Sequence, residues 1–179
     1  HFEVNTFGVI RVTQPLLPLL RQSNGRVLIV SSIYGKAAPP RSAVYSSSKH
    51  AIEGFADVLR REVAPTGISV SVIEPGFLAS QLTSKALEEE TEYQKCVGEA
   101  EADCRTYPHL YNDDTLKKAT DVLTNVGDIN ETCEAMEHAM FASKPKMRYV
   151  TAVVGPLPAW LFLRTAQFLP DHIFDMLYY

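Results

Sequence analysis

No two of the nine glycines, at 8, 25, 35, 54, 67, 76, 98, 127 and 155, stand two residues apart. A Gly-x-Gly loop of the kind that cradles a dinucleotide phosphate is therefore lacking. Cysteine is scarce too. Cys96, Cys104 and Cys133 form an odd set without Cys-x-x-Cys spacing, which favours reduced thiols in the cytoplasm over disulfides or zinc. His50, His109, His138 and His172 show no metal-ligand spacing, so they read as structural or surface groups and no metal is expected. Excess positive charge is missing: a net charge of −4 and a pI near 5.7 argue against a nucleic-acid partner, which calls for a basic face. Long apolar runs are missing as well. The uncharged stretch Tyr149 to Leu163 contains Pro156 and Pro158 and is too short to span a bilayer comfortably, and no signal-peptide pattern precedes it. The chain opens on His1, not Met, and goes straight into a helical pattern.

What is present suits a folded protein. With 46% hydrophobic and 21% charged residues, the 179-residue chain (1–179) reads as a single soluble domain with a substantial core. Val4, Phe7, Val12, Leu16 and Leu20 have helical spacing over residues 3 to 21, where Pro15 and Pro18 should bend or interrupt the helix. Asn24-Gly25 marks a turn. Arg26 to Ser32 is a β-branched and leucine run of the sort found in buried parallel strands. A loop at 33–43 leads to a helix from about 44 to 64, with Ile52, Phe55, Ala56, Leu59 and Val63 on one face, stopped by Pro65-Thr66-Gly67.

A second strand, Ile68 to Glu74, breaks at Pro75-Gly76. Residues 80–147 read as a helical region on the substrate side. Within it, Glu88–Glu92 and Glu99–Asp103 are solvated faces, Asp113 or Asp114 caps a helix to Asn125, and Asp128 with Glu131 offers a capping box. Arg148 to Val154 reads as a third buried strand, and 156–179 as an apolar tail interrupted at Pro170-Asp171. Helix, strand, helix and strand in that order, with short connections, predict an α/β fold with a parallel sheet. Ligands in such folds sit outside the carboxyl ends of the strands, where Ser31, Ser32, Pro75, Gly76 and the start of the Tyr45 helix stand.

The chemistry concentrates in Tyr45 and Lys49, four residues apart and so on one helix face. A phenol with its ordinary pKa of about 10 is a poor base at neutral pH. A nearby ammonium favours the phenolate, and the pair can then move a proton on or off a substrate oxygen. Each residue has a plainer reading: Ser32 ends a strand, Asn5 caps a helix, Lys49 lies on the surface, Tyr45 is a half-buried aromatic and Pro75-Gly76 is a turn. None of these explains the spacings together. Ser32 thirteen residues before Tyr45, then Lys49, then Pro75-Gly76 after a strand resemble the classical short-chain dehydrogenase/reductase family. Val4-Asn5-Thr6-Phe7-Gly8 resembles that family's asparagine-containing helix motif, at the expected distance upstream.

The resemblance implies a Rossmann-type, doubly wound parallel sheet whose first strands and Gly-rich loop would precede His1. It implies Tyr45 as general acid/base, Lys49 as the cation that lowers the tyrosine pKa and binds the nicotinamide ribose, Ser32 as holder of the substrate oxygen, and Asn5 as anchor of a proton-relay water. Tyr45, Lys49, Pro75, Gly76, Leu78 and Ser80 match positions that bind the cofactor, NAD or NADP, and nothing in this stretch distinguishes the two. The apolar tail (Trp160, Leu161, Phe162, Phe168, Ile173, Phe174, Leu177) suits an apolar alcohol or ketone. The run Lys144-Pro145-Lys146-Met147-Arg148-Tyr149 resembles steroid and retinol dehydrogenases of the family, and its three cations beside an apolar segment suit peripheral membrane contact. The Asn5 and Tyr45 helices form the family's usual homodimer surface. Two other readings remain open at this point: a non-catalytic binding or scaffold protein that keeps the fold, and an epimerase or dehydratase of the extended type. As a fragment, residues 1–179 are expected to be inactive and to aggregate through an unpaired sheet edge.

Overall fold

The computed structural model describes residues 1–96, 107, 110 and 112–175, the side chains of 90–96, 171 and 174 excepted. Cys104, His109, Leu177, the Glu99–Asp103 run and the side chains of Cys96 and Phe174 lie outside the described residues. In chain order, the first elements are α1 (Val9–Gln22), β1 (Arg26–Val30), α2 (Ala43–Val63), β2 (Ser69–Pro75) and α3 (Gln81–Cys96). They are followed by α4 (Asp113–Thr124), α5 (Ile129–Phe141), β3 (Arg148–Thr151), β4 (Val153–Val154), β5 (Leu157–Pro158), α6 (Ala159–Phe168) and α7 (Asp171–Asp175). The chain forms two compact units, His1–Pro75 with Asn130–Thr151, and Gly76–Ile129 with Ala152–Tyr179.

The first unit is built on a parallel sheet in the order β1-β2-β3, with Val27 opposite Val70 and Ile73 opposite Tyr149. Period-two alternation gives the sheet two apolar faces. On one, Val27, Ile29, Val70 and Val72 pack with Ile52, Ala56, Leu59 and Val63 of α2 and with Val9, Leu17 and Leu20 of α1. On the other, Ile73 and Tyr149 meet Ala139, Ala135 and Met136 of α5. Arg26 ties α5 down by donating to the carbonyls of Ala139 and Ala142 at 2.9 and 2.7 Å, at the helix end where cations are favoured. The α2 helix ends in a turn at Ala64–Thr66 and a left-handed Gly67 at φ 84°, as Pro65-Thr66-Gly67 predicts.

Several expectations change. Pro15 and Pro18 lie inside α1 without breaking it. The carbonyls they leave unpaired, on Arg11 and Gln14, belong to exposed residues that water can reach, so the loss is tolerated. The inward face of α1 is Val9, Leu17 and Leu20; Val4, Phe7, Val12 and Leu16 have equally helical spacing but are exposed. Residues 3–8 form one stretch of π-helix before α1. The third strand stops at Thr151 because Ala152 adopts φ 64°, and Val153–Val154 turns back to pair antiparallel with Leu157–Pro158. The cap of α4 is Asn112, whose side chain accepts from the Thr115 N–H at 2.9 Å, and the helix ends at Thr124. Asp113 and Asp114 instead occupy its first turn, where the helix dipole favours them.

In the second unit α3 packs on α4, and α6 on the β4–β5 hairpin. The segment after β2 is held by its main chain: Phe77 N–H donates to Val153 and Gly127 N–H to Phe77, both at 2.8 Å. Of the apolar tail, Ala159 and Leu163 are buried while Trp160, Phe168 and Ile173 are exposed. Among the described residues no helix is long and apolar enough to cross a membrane.

Ile52 has no solvent exposure and joins α2 to the sheet. Ile52→Ala is expected to lower stability by about 2–5 kcal/mol, read as a drop in the denaturation midpoint by circular dichroism.

Candidate active site

Four residues expected from motif spacing stand within the first unit around the start of α2. Ser32 is the second residue beyond β1 and is buried; its Oγ accepts from the Tyr34 N–H at 3.2 Å and so caps the short turn Ile33–Gly35. The Tyr34 ring meets the half-buried Tyr45 ring edge-on, with centroids 5.9 Å apart. One turn along α2, the Lys49 ammonium lies 5.7 Å from the Tyr45 ring centroid and donates to the Val30 carbonyl at 3.2 Å. That carbonyl ends β1 next to Ser31 and Ser32, so Lys49 joins the tyrosine helix to the strand end.

Asn5 sits inside the π-helical stretch and is no helix-start cap. Its Nδ2 donates to Ser48 Oγ at 3.1 Å, and Ser48 Oγ in turn donates to the Tyr45 carbonyl at 2.7 Å. The neighbouring Thr6 donates to the Ser48 carbonyl at 3.0 Å. The widened turn thus docks two consecutive side chains on Ser48, in the second turn of the tyrosine helix.

Residues 76–80 belong to the second unit and have structural work of their own. A Cβ at Gly76 would lie 2.4 Å from the Val153 carbonyl oxygen, so only glycine fits. Ser80 accepts from the Thr83 N–H at 3.3 Å and starts α3; Thr83 Oγ1 donates to the Leu78 carbonyl at 2.6 Å. A depression of about 240 Å³ lined by Asp113, Leu116, Lys117, Thr120 and Asp121 contains none of the expected site residues. Among the described residues no group of three or more His, Cys, Asp and Glu side chains is arranged to hold a metal ion.

Motif spacing does not single out a charge cluster in the first unit. Arg148, at the start of β3, donates to Glu53 of α2, to Glu74 of β2 at 2.5 Å and to Asp57 of α2 at 2.8 Å. Lys36 reaches Glu53 at 3.4 Å. Glu53 and Glu74 are only 3% and 2% exposed. The signal that finds them is a carboxylate on the apolar face of α2 and another inside a buried strand, each requiring a partner. Arg148 therefore faces inward, and the 144–149 run leaves Lys144 and Lys146, not three cations, toward solvent.

Burial and the Glu53 charge push the Glu74 carboxyl up to about 7 against the pull of Arg148. Burial opposes the Arg148 charge, but its three carboxylates outweigh burial and raise its pKa. Burial also acts to raise Asp57, yet Arg148 and Arg60 leave it below the usual range. Burial lowers Lys49, and the Glu53 charge works against that.

The comparisons with known proteins bear on this arrangement. A family model described as short chain dehydrogenase matches residues 1–91, which contain Asn5, Ser32, Tyr45, Lys49 and Gly76. The chain belongs to the short-chain dehydrogenase family. It is similar to 17-beta-hydroxysteroid dehydrogenase type 6 of Bos taurus, 35% identical over 96% of this chain and 53% of that protein. It is also similar to retinol dehydrogenase 5 of Mus musculus, 33% identical over 96% of this chain and 53% of that protein. D-beta-hydroxybutyrate dehydrogenase, mitochondrial, of Rattus norvegicus is 34% identical over 98% of this chain and 51% of that protein. The chain thus spans about half the length of the curated relatives it matches. A short-chain dehydrogenase from Streptomyces avermitilis shares the fold with a TM-score of 0.68 at 24% identity, over 98% of this chain and 57% of that one. The sheet with α1 and α2 on one face and α5 on the other is accordingly part of a Rossmann-type short-chain dehydrogenase fold.

A carboxyl whose folded pKa lies near 7 and whose ordinary value is 4.5 holds its proton in the fold where the unfolded chain has lost it. The folded state then binds more protons between pH 4.5 and 7, so Glu74's contribution to stability is full below that window and lost as pH rises through it. Glu74→Gln, in the full-length protein, is expected to gain stability relative to wild type as pH rises from 5 to about 8, read from thermal midpoints across that range.

Proposed function

We propose that this chain carries the catalytic side of an oxidoreductase that interconverts a hydroxyl and a carbonyl on a lipophilic substrate with NAD or NADP. The observation that carries the reading is the Lys49 ammonium, held by the Val30 carbonyl beside the Tyr45 ring, at the strand end that bears Ser32. Tyr45 is the group that gives a proton to the substrate oxygen on reduction and takes it on oxidation. The Ser32 hydroxyl holds that oxygen by a hydrogen bond. Asn5 steadies the tyrosine turn through Ser48, and the family resemblance gives it the further role of anchoring a water in a proton relay to Lys49.

The nicotinamide, when bound, supplies or accepts the hydride. Lys49 fits the cofactor because its ammonium has three donors and the Val30 carbonyl takes one, leaving two for ribose hydroxyls. Pro75, Gly76, Leu78 and Ser80 are the further positions assigned to the cofactor; Ser80 would share its hydroxyl with the start of α3. Relatives named for retinol, 17-beta-hydroxysteroids and D-beta-hydroxybutyrate support an alcohol or ketone substrate. The exposed Trp160 and Phe168 favour an apolar one.

Tyr45→Phe in the full-length protein is expected to lower turnover of retinoid or steroid alcohols by roughly 10²–10⁴-fold, followed as NAD(P)H absorbance, with cofactor binding retained. Turnover near the wild-type rate would overturn the assignment. Net NAD(P)H formation, rather than hydride recycled within one turnover, separates this activity from an epimerase or dehydratase.

A further inference from the structure

Glu53 stands one helical turn beyond Lys49 and two beyond Tyr45, buried at 3% exposure on the side of α2 that meets the sheet. Its Oε2 takes both Arg148 and Lys36, and its Oε1 is buried without a hydrogen-bond partner. Lys36 follows directly on the Ile33–Gly35 turn that Ser32 caps. A Cβ at Gly35 would lie 2.7 Å from Ser31 Oγ, 2.8 Å from Glu53 Cγ and 3.1 Å from the Lys49 carbonyl. The Glu53 stem, the Lys49 turn and the serine loop therefore press together too closely to admit a methyl group.

We propose that Glu53 is a positioning residue for the proton-transfer pair: its carboxylate, anchored by Arg148 and Lys36, keeps the Lys49 ammonium charged beside Tyr45 and fixes the Ser32 loop. The inference rests on the assignment of Tyr45 and Lys49 as that pair. A half-buried ammonium sheds its proton more readily than one in water, and burial does lower Lys49. The groups that face Lys49 are Tyr45 and Glu53 on its own helix and the Val30 carbonyl from β1. Around Glu53 stand Lys36 from the loop, Glu74 from β2 and Arg148 from β3, with Asp57 on the far side of Arg148. With both Arg148 and Lys36 on its Oε2, Glu53 still acts to support the Lys49 charge against burial.

The test is competitive labelling of lysines with acetic anhydride across pH, on the full-length wild-type protein and on Glu53→Gln. The labelling midpoint of Lys49 is expected to fall by about one pH unit or more in Glu53→Gln. The limb of the kcat profile that reports Lys49 deprotonation is expected to move with it, while KM holds. An unmoved midpoint in folded Glu53→Gln overturns the proposal. So does an equal fall in Asp57→Asn, which removes a carboxylate from Arg148 two turns from Lys49 and should leave the midpoint in place. If Glu53→Gln does not fold, Lys49→Met reads the same coupling from the other side, because pairwise coupling is reciprocal. The infrared band of protonated carboxyls in the cluster must then grow in at higher pH than in wild type, and an unmoved band overturns the proposal. Labelling reads Lys49 whether or not the enzyme turns over. A folded wild type without turnover would thus count against the function and leave the Glu53 result standing.

Discussion

Arg148 reaches Glu53, Asp57 and Glu74 from the first residue of β3, so a single guanidinium joins α2, β2 and β3. Its five N–H groups in a fixed plane allow one side chain to serve several carboxylates, which a lysine could not do in the same geometry. Removing a charge from water costs several kcal/mol unless a partner is in place. With Glu53 of α2 almost fully buried, the docking of the helix on the sheet requires that its charge be matched. The apolar contacts of Ile52, Ala56 and Leu59 hold the helix on the sheet, and Arg148 ties it to β2 and β3 through Glu53, Asp57 and Glu74.

That cluster also marks the limit of what could be read along the chain. β1, α2 and β2 were legible to within a residue or two, because an apolar run, a helical apolar stripe and a valine-rich strand are set off by the turn signals Asn24-Gly25, Pro65-Thr66-Gly67 and Pro75-Gly76. Tyr45, Lys49 and Ser32 were legible because their spacing is local. Glu53 and Glu74 were not, since Arg148 lies 95 and 74 residues away in sequence. The split of the third strand was hidden for another reason. An alanine carries no hint of the left-handed conformation that Ala152 adopts where the parallel strand gives way to the antiparallel pairing of Val153–Val154 with Leu157–Pro158. At α4 three adjacent residues, Asn112, Asp113 and Asp114, all favour a helix start, and composition alone cannot choose between them. The two apolar stripes of α1 were indistinguishable for a similar reason, as both repeat with helical spacing.

The placement of Glu53 answers a conflict built into the tyrosine–lysine pair. Lys49 is partly buried where it stands beside Tyr45, and burial weakens the charge that the proposed proton transfer would use. A carboxylate in direct contact would restore the charge, but it would also occupy the ammonium's donors and draw it away from the ring. Glu53 instead gives its Oε2 to Arg148 and Lys36, while Lys49 gives one donor to the Val30 carbonyl. Support for the charge then comes through space, falling off only with distance, and the remaining donors stay available for hydroxyl groups. Because Lys36 belongs to the segment that follows Ser32, the same carboxylate sets the loop that would hold the substrate oxygen. The residues that stabilise the sheet and the residues that would move the proton are, on this geometry, one electrostatic system.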